Sequence, residues 1–70
     1  MNKNALQAVI KLNGDTQEAL ARHLGMTSAT LSNKINGGSV FNQTEIEGIV
    51  LRYHLTAEQI QSIFFASTVN

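Results

Sequence analysis

The stretch DTQEALARHLGMTSATLSNKINGG, residues 15–38, decides the fold because it reads as two short helices joined at a glycine. Apolar residues recur at helical spacing on both sides of Gly25: Leu20, Ala21 and Leu24 before it, Leu31 and Ile35 after it. Gly25 stands where the chain must leave the first helix, and a positive φ angle there costs glycine little. The pattern predicts a pair of helices packed against each other across a tight turn.

The ends of these two helices carry their own signals. Thr27 is the expected N-cap of the second helix, which ends at Asn36-Gly37-Gly38. Thr16 is a suitable N-cap for the first helix. Asp15 is the alternative, because Glu18 would complete a capping box with it.

The helical period continues outward on both sides of this pair. Residues about 3–12 form a first helix that stops at Asn13-Gly14. Asn42-Gln43-Thr44-Glu45 spells a capping box that opens a fourth helix, and Thr56 opens a fifth. The expected inward residues are Leu6, Val9 and Ile10 in the first helix, Ile46, Ile49, Val50 and Tyr53 in the fourth, and Ile60, Ile63 and Phe64 in the fifth. No stretch alternates with period two, so the sequence predicts one compact all-α domain of five helices over residues 1–70.

Composition excludes several classes of function. The chain has 70 residues and no cysteine, so it has neither a disulfide framework nor a thiolate metal site. His23 and His54 lack partners at metal-ligand spacing, and no nucleophile stands with a base, so we expect no metal, no cofactor and no enzyme. No apolar run approaches the ~20 residues that span a membrane. The start of the chain also lacks the apolar core of a signal peptide, so we expect a cytoplasmic protein.

The formal net charge is zero, which argues against strong non-specific binding to nucleic acid. The charge is unevenly distributed, however. The front of the chain, residues 1–42, is mildly basic, and the rest is mildly acidic. The front holds Lys3, Lys11, Arg22 and Lys34 against Asp15 and Glu18, and the back holds Arg52 against Glu45, Glu47 and Glu58. This distribution permits contact with a polyanion without requiring it.

Two small residues distinguish the helix pair around Gly25 from an amphipathic helical hairpin that arises by chance. Counted from Gln17 as the first position, Ala21 is the fifth, where a small side chain lets the two helices approach closely. Gly25 is the ninth, at the bend. A helix-turn-helix places two helices across such a short glycine-containing turn.

The segment TQEALARHLGMTSATLSNKING, residues 16–37, resembles the helix-turn-helix unit of the lambda-repressor-like, or Cro/Xre, family of phage and bacterial regulators. The rest of the chain resembles the family as well, with one helix before the unit and two after it. The ending TEIEGIVLRYHLTAEQIQSIFF is similar to short phage-encoded regulators of Gram-positive hosts. The resemblance implies a five-helix DNA-binding fold with a central helix-turn-helix.

In such a motif the second helix, here residues about 28–36, lies in the major groove of DNA. With Leu31 and Ile35 turned inward, four short side chains point outward: Ser28, Ala29, Ser32 and Asn33. Asn33 can pair with adenine, the serines with several bases, and the Ala29 methyl with a thymine methyl. Thr30 falls on the flank. The alternative is a plain solvated face, but serine and asparagine are mediocre helix formers, so a purely structural surface would more often carry better ones.

The resemblance implies that the same four positions read bases and that Gln17 contacts a phosphate. Further candidate phosphate contacts lie near the second helix and in the loop after it: Thr27, Lys34, Asn36, Ser39, Asn42 and Gln43. For Lys34 the plain alternative is a surface charge.

The expected function is that of a sequence-specific regulator of transcription, a Cro-like phage repressor whose partner is double-stranded operator DNA. Family members bind two half-sites as dimers, so we expect a homodimer, with Phe65, Val69 and Leu55 as candidate dimer contacts. The alternative for Phe65 is that it covers the bottom of the core. The alternative function is that of an antirepressor or co-repressor that binds a larger phage repressor protein.

Overall fold

The computed structural model describes residues 1–65, and within them it contains five α-helices and no strand. The all-α class predicted from the sequence is therefore confirmed. The helices are α1 (Lys3–Leu12), α2 (Gln17–Leu24), α3 (Ser28–Ile35), α4 (Gln43–Tyr53) and α5 (Ala57–Phe64). The predicted Val69 contact lies outside the described residues. No helix within residues 1–65 has the length and apolar character needed to cross a membrane.

Every helix begins at a side-chain oxygen that accepts a hydrogen bond from a backbone N–H three residues later. The five N-caps are Asn2, Thr16, Thr27, Asn42 and Thr56. At α2 the cap is Thr16, which settles the choice between Thr16 and Asp15. Capping boxes form at α4, between Asn42 and Glu45, and at α5, between Thr56 and Gln59. Each cap stabilises its helix by about 1 kcal/mol, so the local sequence sets where the helices start.

Four of the helices are followed within two residues by a residue in the left-handed conformation. These residues are Gly14, Gly25, Gly37 and His54, with φ angles of 65°, 74°, 93° and 51°. At the end of α2 the Gly25 N–H donates to the Arg22 carbonyl at 3.1 Å, and the Met26 N–H donates to the Ala21 carbonyl at 2.9 Å. This pair of bonds is a Schellman motif, and it turns the chain directly into α3.

Each helix contributes one large, fully buried side chain to a single core: Leu6, Leu20, Leu31, Ile49 and Ile63. α2 packs against both α3 and α4, while α1 packs against α5. Leu55, which follows α4, is also in the core and only 9% exposed. This burial leaves it little surface to offer a second chain, so we remove Leu55 from the candidate dimer contacts.

Two small residues set how closely α2 meets its neighbours. Ala21, which the sequence singled out, is 1% exposed. Gly48 of α4 was not anticipated from the sequence. A Cβ atom at Gly48 would lie 2.8 Å from Cδ2 of Leu24, so the absence of a side chain lets α4 lie close to α2.

A polar network fixes the start of α2 to the end of α4. Asp15 accepts two hydrogen bonds from Arg52, from Nε at 2.8 Å and from Nη2 at 3.1 Å. It accepts a third from the Tyr53 hydroxyl at 2.5 Å. The Arg52 guanidinium and the Tyr53 hydroxyl hold the pKa of Asp15 well below its usual range. Asp15 is therefore occupied in joining two helices, which explains why it does not cap α2.

Candidate nucleic-acid interface

The outer face of α3 has the composition expected from the sequence. Leu31 and Ile35 are buried, at 0% and 2% exposure, and they anchor one side of the helix. On the other side Ser28, Ala29 and Asn33 are exposed and Ser32 is half-buried. These four side chains are all short, so a flat partner such as a base-pair edge could approach the helix backbone closely.

Thr27 and Thr30 form a local unit at the start of α3. The Thr27 hydroxyl accepts from the backbone N–H of Thr30 at 3.1 Å and donates to the Thr30 hydroxyl at 3.0 Å. Both side chains are exposed. Thr27 therefore already serves as the cap, and a phosphate contact would be an additional role for it.

Asn36 lies at the end of α3 and joins two other parts of the site. Its Nδ2 donates to the Ser32 hydroxyl at 3.3 Å, and its Oδ1 accepts from Nζ of Lys3 at 3.1 Å. Lys3, at the start of α1, is thus brought to the end of α3. This contact could not be predicted from local sequence patterns because 33 positions separate the two residues. Because of this position, Lys3 is a further candidate for a phosphate contact.

Lys34 is engaged inside the protein. Its side chain is 15% exposed, and its Nζ lies 3.1 Å from Glu45 Oε1 and donates to the Val40 carbonyl at 3.1 Å. Burial opposes ionisation of Glu45, but the Asn42 N–H and the Lys34 ammonium outweigh it, so the pKa of Glu45 is lowered. Lys34 ties α3 to the start of α4, and this position does not suit the phosphate contact that we expected of it.

The other candidate phosphate contacts lie at the start of α2, in the loop after α3 and at the start of α4. Gln17 is the first residue of α2 and half-buried, and Ser39 is half-buried in the loop after α3. Gln43 is the exposed first residue of α4. Asn42 is exposed as well, but its side chain caps α4, where it accepts from the Glu45 N–H at 2.8 Å.

The ion pairs explain how little free positive charge the site has. Besides Lys34, Arg52 is bound to Asp15 at 2.8 Å. Arg22 lies 3.9 Å from Glu18 on an exposed helix surface, where such a pair is weak. The side-chain cations left for phosphate among residues 1–65 are Lys3, Lys11 and Arg22.

A second surface feature has no lining residue from α3. α4 and α5 border an open groove of about 630 Å³ whose lining is mostly apolar and includes Ile46, Val50, Leu51, Ile60 and Phe65. Leu51 is 73% exposed and Phe65 is 56% exposed. Phe64, not Phe65, turns to the interior, where its ring meets Phe41 edge to face at 6.0 Å. Phe65 therefore does not cover the core, and its role as a dimer contact stays a prediction.

Residues 1–65 contain no group of three histidine, aspartate or glutamate side chains placed to hold a metal ion. Comparisons of the chain with protein-family models, with curated proteins and with solved structures gave no match.

Proposed function

We propose that this protein is a sequence-specific DNA-binding regulator of transcription, a small Cro-like repressor that reads DNA through α3. In this proposal α3 enters the major groove, with Ser28, Ala29, Ser32 and Asn33 at the base edges. Asn33 would pair with an adenine through its amide, and Gln17 would contact a phosphate at the start of α2.

The observation that carries this proposal is the asymmetry of α3. One side is held in the core by Leu31 and Ile35, and the other offers short polar side chains. A helix that only faces water gains stability from long charged residues and from alanine, whereas serine and asparagine weaken it. The exposed face of α3 is therefore better suited to contact than to stability.

Two copies of the chain would read two half-sites about one turn of DNA apart, ~34 Å. Repression would be passive, because a dimer on the operator excludes polymerase or a competing repressor. Phe65, exposed at the end of α5, is the remaining described candidate for the contact between the copies.

Selection from random duplex DNA tests the proposal without knowledge of the operator. Duplexes enriched by the protein at low salt would be compared with scrambled duplexes of the same composition, with affinity measured by fluorescence anisotropy. We expect the enriched sequence to bind at least ~10³-fold more tightly. Equal affinity for both duplexes would rule out sequence-specific binding.

The apolar groove supports a second function, that of an antirepressor or co-repressor that binds a larger repressor protein. Exposed Leu51 and Phe65 beside the groove are typical of a protein-binding surface, and the scarcity of free cations weakens the case for DNA. Co-elution with such a repressor in the absence of DNA is the test. If the protein is an antirepressor or co-repressor, Leu51→Lys would abolish its complex with the larger repressor. Under the DNA-binding proposal, the same variant keeps the DNA preference of the wild type.

A further inference from the structure

The loop after α3 contains two adjacent glycines, and only the first is required by the backbone. α3 ends in a Schellman motif, in which the Gly37 N–H donates to the Lys34 carbonyl at 3.2 Å and the Gly38 N–H donates to the Asn33 carbonyl at 2.8 Å. Gly37 has a φ of 93°, in the left-handed region that favours glycine. Gly38 is not in that region, so other residues can adopt its backbone conformation.

Other helix ends in the same chain show that this motif accepts a side chain at the position of Gly38. The residue that donates back to the carbonyl five positions earlier is Asp15 after α1, Met26 after α2 and Leu55 after α4, with bonds of 3.0, 2.9 and 3.1 Å. Among these four helix ends, only the one after α3 has a glycine at that position. Helix termination alone therefore does not explain Gly38.

The side chain of Asn33 offers the explanation. A Cβ atom at position 38 would overlap Oδ1 of Asn33 and would lie 2.7 Å from its Cγ. The Asn33 amide thus occupies the space that a side chain at position 38 would fill. The Schellman motif brings residue 38 back beside Asn33, and the missing Cβ leaves room for the amide there.

We propose that Gly38 is a positioning residue that determines where the Asn33 amide lies and thereby the base that α3 prefers. The inference rests on the proposed DNA-binding function. A bidentate contact with adenine needs the amide oxygen and nitrogen in one orientation. A methyl group at position 38 would force the amide into another rotamer, and the contact would be lost although the helix remained.

The test combines Gly38→Ala with Asn33→Ala in a double-mutant cycle. Preference for each base pair of the enriched duplex would be measured for the wild type, both single variants and the double variant. We expect Gly38→Ala to reduce preference at one base pair by roughly five- to a hundredfold and to have no effect when Asn33 is already alanine. Because the backbone at position 38 accepts alanine, urea unfolding should show no loss of stability in Gly38→Ala.

Equal effects of Gly38→Ala in both backgrounds, or no effect in either, would overturn the positioning role while the proposed function stood. A wild-type protein without any base preference would instead overturn both. The position of the Asn33 side-chain amide beside Gly38 can be measured separately, in the free protein. It predicts a nuclear Overhauser contact between the Asn33 side-chain amide protons and the Gly38 α protons. Its absence would overturn the inference irrespective of DNA binding.

Discussion

At the scale of single residues, the left-handed positions that end the helices are not equivalent. Gly25 and His54 occupy the same place after α2 and α4, with φ angles of 74° and 51°. A side chain in this conformation costs about 1–2 kcal/mol, and glycine avoids that cost. His54 therefore carries backbone strain that Gly25 does not.

Placing a glycine at position 54 and removing the glycine at position 25 should have opposite effects on the free energy of unfolding. His54→Gly should stabilise the protein by about 0.5 kcal/mol, since glycine relieves the strain but gives the unfolded chain more freedom. Gly25→Ala should destabilise it by about 1 kcal/mol or more. Urea unfolding followed by circular dichroism measures both. A His54→Gly protein less stable than the wild type would contradict the assignment of strain.

Tyr53 is the only tyrosine, and the chain has no tryptophan, so its ionisation can be followed alone by ultraviolet absorbance. Burial, and then the hydrogen bond to Asp15, raise the pKa of Tyr53 to about 12. The protonated phenol thus stabilises the fold below the ordinary pKa of about 10, and this contribution is lost as the pH rises through about 12.

The absorbance titration should therefore give a higher pKa for Tyr53 in the folded protein than in urea. Asp15→Asn should lower the folded value but leave it above the value in urea, because burial remains. Identical titrations of the wild type and Asp15→Asn would show that the Asp15 contact is absent in solution.

At the scale of helices, the sequence was sufficient to predict where each helix begins, to within a residue, and where the first three end. Caps such as Thr27 and the Asn42 capping box act within three residues, and the apolar period acts within one helix. These signals are local, so they can be found without the fold. The outward position of Asn33 followed from the same period.

The contacts between helices could not be predicted in this way. Lys34 looked like a surface cation because Glu45, its partner, comes eleven residues later across a loop and in another helix. Leu55 was a candidate dimer contact for the same reason, since its burial depends on how the chain packs after α4. Pairings of this kind are fixed by tertiary packing, which no single window of sequence contains.

The position of Lys34 leads to a prediction about α3 and α4. Lys34→Met should lower the free energy of unfolding by about 1–2 kcal/mol, because Glu45 would keep a largely buried carboxylate without its cation. The salt dependence of DNA binding should not change. Lys11→Met, on an exposed position of α1, is the matched control and should leave stability within about 0.5 kcal/mol. If Lys34→Met reduced the salt slope by about 1, Lys34 would be a phosphate contact after all.

At the scale of the whole molecule, the neutral net charge and two ion pairs within the chain limit electrostatic attraction to DNA. Lys34 and Arg52 are held by Glu45 and Asp15, which leaves Lys3, Lys11 and Arg22 as the side-chain cations available to phosphates. Affinity would then depend on base contacts and shape more than on charge.

The salt dependence of binding should reflect this small number of cations. For each chain bound, we expect the logarithm of the association constant to fall with the logarithm of salt concentration with a slope no steeper than about −3. Lys3→Met should make the slope shallower by about 1. A much steeper slope would mean that other groups, outside the cations identified here, neutralise phosphate.

The most direct test of the central claim, that α3 is the surface that contacts DNA, is a nuclear magnetic resonance titration of the wild-type protein with the enriched duplex. The claim predicts that the largest changes in backbone amide chemical shift fall on Ser28, Ala29, Ser32 and Asn33, with little change at Leu51. Changes confined to the groove between α4 and α5, or no change at α3 at saturating duplex, would contradict it.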